Sequence, residues 1–105
     1  MSQGRVIFDP KRSGETVTLQ FDFASRLAVG ETISTQSVAA SVYSGTDASP
    51  SAIISGSATA SGTVVSQKIT AGTIGVTYSL ACTITTSAGQ TLLMVGFLAV
   101  IPNVT

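Results

Sequence analysis

The chain has 105 residues and 10 % of them are charged, against about 25 % in an average soluble domain. Its five basic and five acidic residues cancel, so no net charge draws it to nucleic acid or to an anionic membrane. With no histidine and a single cysteine, it lacks the parts for a His-based triad, a Cys/His zinc site or an intrachain disulfide.

The length suits one domain. Ser, Thr, Val, Ile and Gly dominate, and apolar residues recur with period two rather than 3.6. This pattern predicts an all-β protein. "MSQGRVIF" has no apolar run of signal-peptide length, which points to a chain made in the cytoplasm and not exported by the usual route. Residues 1–15 hold Arg5, Asp9, Lys11, Arg12 and Glu15, half of the ten charges. Pro10 and Gly14 interrupt any long strand there. Two readings stand: a polar arm whose Lys11 and Arg12 contact a neighbour, or a first strand at "RVIF" followed by a solvated linker. The sandwich proper is taken as 16–105.

"TVTLQFDF" (16–23) alternates, with Val17, Leu19, Phe21 and Phe23 on one face, as a half-buried strand does. A turn at Gly30 leads into a strand over about 31–42. Ile33, Val38 and Val42 break its parity and predict a bulge or bend. "SGTDASP" (44–50) is a loop, "SAIIS" a short strand, and "SGSATASG" (55–62) a loop or weak edge. "TVVSQKI" (63–69) is a strand and "TAGTIG" (70–75) a turn. "VTYSLACTITT" (76–86) is a strand with Val76, Tyr78, Leu80, Cys82 and Ile84 on one side. "SAGQ" (87–90) is a tight turn in which Gly89 can take a left-handed conformation. "TLLMVGFLAV" (91–100) is the last strand, and no residue after Lys68 is charged. About seven short strands at this spacing predict an immunoglobulin-like antiparallel β-sandwich, with a small barrel as the alternative.

A four-residue turn at 87–90 would set Ile84 opposite Leu93, Cys82 opposite Val95, Leu80 opposite Phe97 and Tyr78 opposite Ala99. Opposed side chains share a face, so this face would be the core. Leu92, Met94, Leu98 and Val100 would then form an outer apolar stripe. Contiguous apolar patches on monomers are small. The stripe is therefore expected to be covered, by another protein chain or by the 44–62 loop. These four, with Lys11 and Arg12, are the expected protein interface.

No catalytic constellation emerges. The acids are dispersed, "GTIG" lacks the Lys and helix of a phosphate loop, and no closely spaced acidic loop suits calcium. "NVT" matches a glycosylation acceptor only formally. The expectation is a non-enzyme without cofactor or metal, in a binding or building-block role.

"LAVGETISTQSV" and "AGTIGVTYSLACTITTSAGQT" resemble a small bacteriophage family, the fibre–tail adaptors. The shared features are Asp9-Pro10, Phe21-Asp22-Phe23, Leu27 to Ile33, Gly72 to Tyr78 and Thr85 to Thr91, in order over nearly the whole chain. Members often end in a strand alternating with charged residues, whereas this chain ends in "LLMVGFLAVIP". The resemblance implies a structural virion protein of the tail, synthesised in the host cytoplasm. Its partners would be the tail tube or nozzle and the tail fibre, with self-association into a ring and neither nucleic acid nor membrane. Two alternatives share its sequence features. One is a capsid cement or decoration protein. The other is a carbohydrate-binding β-sandwich module, for which Tyr43 is the one aromatic left outside the core.

Overall fold

Period-two alternation places one face of each strand in a common core, and two sheets are needed to bury both sets of inward residues. The computed structural model describes residues 5–103. Its strands are β1 Arg5–Ile7, β2 Lys11–Arg12, β3 Val17–Asp22, β4 Ile33–Ser44, β5 Ile54–Ser61, β6 Val64–Ile69, β7 Thr77–Thr86 and β8 Thr91–Ile101. The larger sheet runs β1-β8-β7-β4, with β2 also on β8, and the smaller runs β3-β6-β5. β4, β7 and β8 take the places of strands C, F and G of an immunoglobulin sandwich, and β3, β6 and β5 those of B, E and D. The sandwich expectation holds, with one addition: β1 and β2 pair with β8 in parallel.

The N-terminal segment is therefore part of the sheet. Residues 5–12 lie along the chain's own β8 instead of reaching out as an arm; residues 1–4 fall outside the described residues. Asp9-Pro10 separates β1 from β2 because Pro cannot donate to a ladder. Phe8, just before this break, packs edge-on against Phe21 with ring centroids 5.4 Å apart.

The core contains Leu19 and Phe21 of β3, Phe23 just after it, Val65 and Ile69 of β6, Tyr78, Leu80, Cys82 and Ile84 of β7, and Met94, Leu98 and Val100 of β8. The expected irregularity in β4 appears as register shifts between Ile33 and Thr35 and between Val42 and Ser44. The Gly-rich stretch at 55–62 is an edge strand, β5, whose register shifts between Ser55 and Thr59. Buried Gln67 secures that shift. Its amide donates to the Ser55 and Gly56 carbonyls at 3.1 and 3.2 Å.

Tyr78 is fully buried yet keeps its hydroxyl satisfied. The hydroxyl accepts from the Thr73 N–H at 2.8 Å and donates to Asp47 Oδ2 at 2.6 Å. A tyrosine early in strand F that bonds back to upstream backbone is the tyrosine corner of such sandwiches. Here it also ties down the β4–β5 loop through Asp47.

The β7–β8 hairpin departs from the expected register. Tyr78 pairs with Leu98, Cys82 with Met94 and Ile84 with Leu92. The turn explains the shift. Thr86 N–H donates to the Gln90 carbonyl at 2.8 Å and Gly89 N–H to the Thr86 carbonyl at 2.9 Å, and Gly89 has φ +83°. The loop is thus three residues, 87–89, ending in a left-handed glycine. One residue fewer in the loop turns every β8 side chain to the other face.

Candidate docking surface

The corrected register reassigns the expected interface. Met94, Leu98 and Val100 are buried in the chain's own core, and Leu92 packs against it. The residues facing outward on β8 are Leu93, Val95, Phe97, Ala99 and Ile101, opposite Thr83, Ala81, Ser79 and Thr77 of β7. β4 adds Ser37, Ala39, Ser41 and Tyr43.

Lys11 and Arg12 are also engaged within the chain. Lys11 is completely buried. Its ammonium donates to the backbone carbonyls of Ala71 at 2.6 Å, Arg12 at 2.9 Å and Ser13 at 3.2 Å. Burial pulls its pKa below the usual lysine value, partly offset by Glu15. Arg12 donates through Nη1 to the Pro102 carbonyl at 2.8 Å, and its N–H donates to Glu15 Oε1 at 2.8 Å. Lys11 fastens the N-terminal segment to the 70–75 turn, and Arg12 fastens it to Pro102 just beyond β8. The two cations do not form an outward patch.

The outward face of the larger sheet carries only Ser, Thr, Ala and apolar side chains on β4, β7 and β8. Its prominent features are Ile7, 79 % exposed, Tyr43, 67 % exposed, and Leu93, 48 % exposed. The Tyr43 ring lies against Phe97 at a centroid distance of 4.7 Å, spanning the small residues of β7. Tyr43, the aromatic kept for sugar stacking in the carbohydrate reading, is thus half of an aromatic ridge. The face is apolar toward β8 and β1, and small and hydroxylic toward β7 and β4. A surface of this kind is desolvated cheaply and makes no charge pairs. That suits protein docking better than chemistry on a small molecule.

Among the described residues, no three of His, Cys, Asp and Glu converge on a metal-sized site. A concavity of about 470 Å³ is an open groove between the Phe8–Lys11 stretch and β3. Buried Cys82 has its thiol pushed up to about 12 by desolvation, the opposite of a reactive nucleophile.

Sequence reasoning missed Leu93 and Phe97 as outward residues because β8 is apolar on both faces. Two signals bore on the choice. Gly89 fits the last position of a three-residue loop. Gly96 is the one position on β8 that gains from an inward placement under a large neighbour, and that neighbour is Phe8.

The family model described as "Podophage GP4 fiber-tail adaptor protein gp77" matches residues 11–95. No curated protein matches the chain.

Proposed function

The chain belongs to the podophage fibre–tail adaptor family, and from that premise we propose that the outward face of its larger sheet is the surface on which a partner virion protein docks. It is a structural component of the phage tail that mounts tail fibres on the tail. The observation carrying the docking proposal is the ridge of Ile7, Tyr43, Leu93 and Phe97, four uncharged side chains exposed or half-exposed on one face of the larger sheet. An apolar face rimmed by polar residues marks a protein contact. Asp22 and Lys68 lie on the smaller sheet and Glu15 and Glu31 in loops and turns. Arg26 reaches the rim of the face, its Nη1 donating to the Leu93 carbonyl at 3.2 Å, and Arg5 lies at the β1 margin opposite Val95.

The fibre's attachment segment is the partner assigned to this face. Self-association into a ring is a second element of the reading, supported by the family role and by a net charge of zero, which sets no repulsion between copies. The protein acts without catalysis and assembles with the other tail proteins in the host cytoplasm.

The test places a charge on the ridge away from β4. Ile7→Asp and Leu93→Asp should leave the melting temperature nearly unchanged and abolish capture of the tail fibre and incorporation into particles. Thr59→Asp, on the smaller sheet, should do neither. Normal incorporation of both ridge variants would reject this face.

A further inference from the structure

β4 ends the larger sheet. One edge is paired with β7, and the other has no strand partner among the described residues. Its twelve residues, Ile33–Ser44, include neither charge nor proline. An open edge offers a row of backbone N–H and C=O groups to any extended chain. Natural sheets blunt such edges with charge, proline, a bulge or a covering segment.

The other edges are all blunted. β1 and β2 are short and are separated by Asp9-Pro10. β5 carries the register shift between Ser55 and Thr59, with Gly56 left-handed at φ +73°. β3 also lacks a strand partner on its outer edge among the described residues, but it is half the length of β4 and ends in the charged Asp22. On β4 the register shifts fall at the two ends and leave Thr35–Val42 regular.

A second observation concerns the inward row of β4. Gln36, Val38, Ala40 and Val42 are only half-buried, whereas the inward residues of β7 beside them are fully buried. Ile54 and Ala58 of β5 are left half-covered as well. The sandwich is therefore unfinished on the β4 side, in apolar cover as well as in hydrogen bonds. A strand added there would supply both.

We infer that the free edge of β4 pairs antiparallel with β4 of a second copy of this chain. The composition of the strand selects that occupant. A strand pairing with itself sets each residue opposite a near-identical one, and like charges placed so repel. Centred on Ala39, the pairing opposes Ser37 to Ser41, Val38 to Ala40 and Thr35 to Tyr43, with no charge and mostly small side chains. The contact is isologous. It joins two larger sheets into one and presents both Tyr43–Phe97 ridges on the same side. This inference rests on the self-association proposed above and gives it a two-fold contact. An isologous pair closes at two copies, so a ring joins such pairs through a separate heterologous contact. Fibre docking on the ridge does not depend on this pairing.

Two double variants test it. Ser37→Lys with Ser41→Lys, and Ser37→Asp with Ser41→Asp, each oppose like charges across the pair. Sedimentation velocity should show wild type as a dimer and each variant alone as a monomer with a wild-type melting temperature. An equal mixture of the two variants should recover a dimer that weakens with added salt. A wild type that stays monomeric, a Lys variant that stays dimeric, or a mixture that does not recover would overturn the pairing. Leu93→Asp should remain dimeric while losing the fibre, so a failure of the docking reading appears separately.

Discussion

Phe8 occupies the volume that a side chain at position 96 would need: a Cβ added to Gly96 would collide with the Phe8 ring. Gly96 sits on the core side of β8, opposite Leu80. The glycine leaves a gap between the sheets, and the N-terminal segment fills it. This one relationship fixes β1 against β8 and couples the start of the chain to its last strand.

Gly96→Ala should expel the ring and destabilise the fold by about 1–3 kcal/mol, the usual cost of overpacking. Phe8→Ala should cost about 2–4 kcal/mol, at or below the usual cost of a lost core phenylalanine because the ring is only half-buried. Urea unfolding of both single variants and the double variant should show coupling. Once Phe8 is gone, Gly96→Ala should become nearly neutral or stabilising.

The β7–β8 register gives a second prediction. Leu98 is fully buried and Phe97 faces outward. Leu98→Ala should therefore cost about 2–5 kcal/mol of folding stability. Phe97→Ser should cost much less and should impair docking instead. Thermal melts paired with a particle-incorporation assay separate the two. The outcome expected from a four-residue turn is the reverse.

Tyr78→Phe removes the hydroxyl that accepts from Thr73 and donates to Asp47. A loss of about 1–2 kcal/mol is expected for a buried hydroxyl with two partners. The same pair sets an acid dependence. The Tyr78 hydroxyl, and then the Ser49 N–H, hold the Asp47 carboxyl below its ordinary value of 3.8. The Thr86 hydroxyl, and then the Ala28 N–H, do the same for Glu31. A depressed carboxyl stabilises the fold above its unfolded pKa, and that stabilisation is lost as pH falls through the folded value. Wild type should therefore weaken below about pH 4, and Tyr78→Phe should weaken less over the same range. Urea melts at neutral pH and at about pH 3 check both.

Cys82 should resist thiol reagents in the native protein, because burial pushes its pKa to about 12 and leaves no accessible thiolate at neutral pH. Labelling should proceed only as fast as the core opens. Phe8→Ala and Leu98→Ala should accelerate it in proportion to their loss of stability. Rapid labelling of the folded wild type would contradict the placement of β7.

Lys11→Met removes a buried ammonium along with the donor shared by three carbonyls. Burial lowers the lysine's folded pKa, so the folded state binds fewer protons than the unfolded one as pH rises toward 10.5, and this group's contribution to stability improves over that window. Tyr78, whose pKa burial raises, works against it above its ordinary value. Subtracting Lys11→Met stability curves from wild type isolates the lysine: the difference should shift in favour of wild type as pH increases through the alkaline range. An unchanged difference would place Lys11 in solvent.

Much of the architecture was legible in the chain. Alternation in 16–23 and 76–86 marked the inward rows of β3 and β7 because each strand has one polar face, so only one orientation avoids burying Thr, Gln and Asp. The parity break at Ile33, Val38 and Val42 announced the irregular β4. The turn formers of 70–75 marked the approach to β7, and the order of these motifs pointed to the adaptor family. What only the tertiary structure decided was orientation where both faces are apolar. In 91–101 either register buries four aliphatic or aromatic residues, and a single turn residue chooses between them. The outward ridge was therefore assigned to the wrong set. The fate of Lys11 and Arg12 was equally hidden. A cation near the N-terminus looks solvated until the 70–76 turn and the end of β8 supply carbonyls around it, and those lie some 60 and 90 residues away in sequence. Local periodicity sets which residues can share a face. Which face meets the core depends on partners distant in the chain, and only the folded packing brings those together.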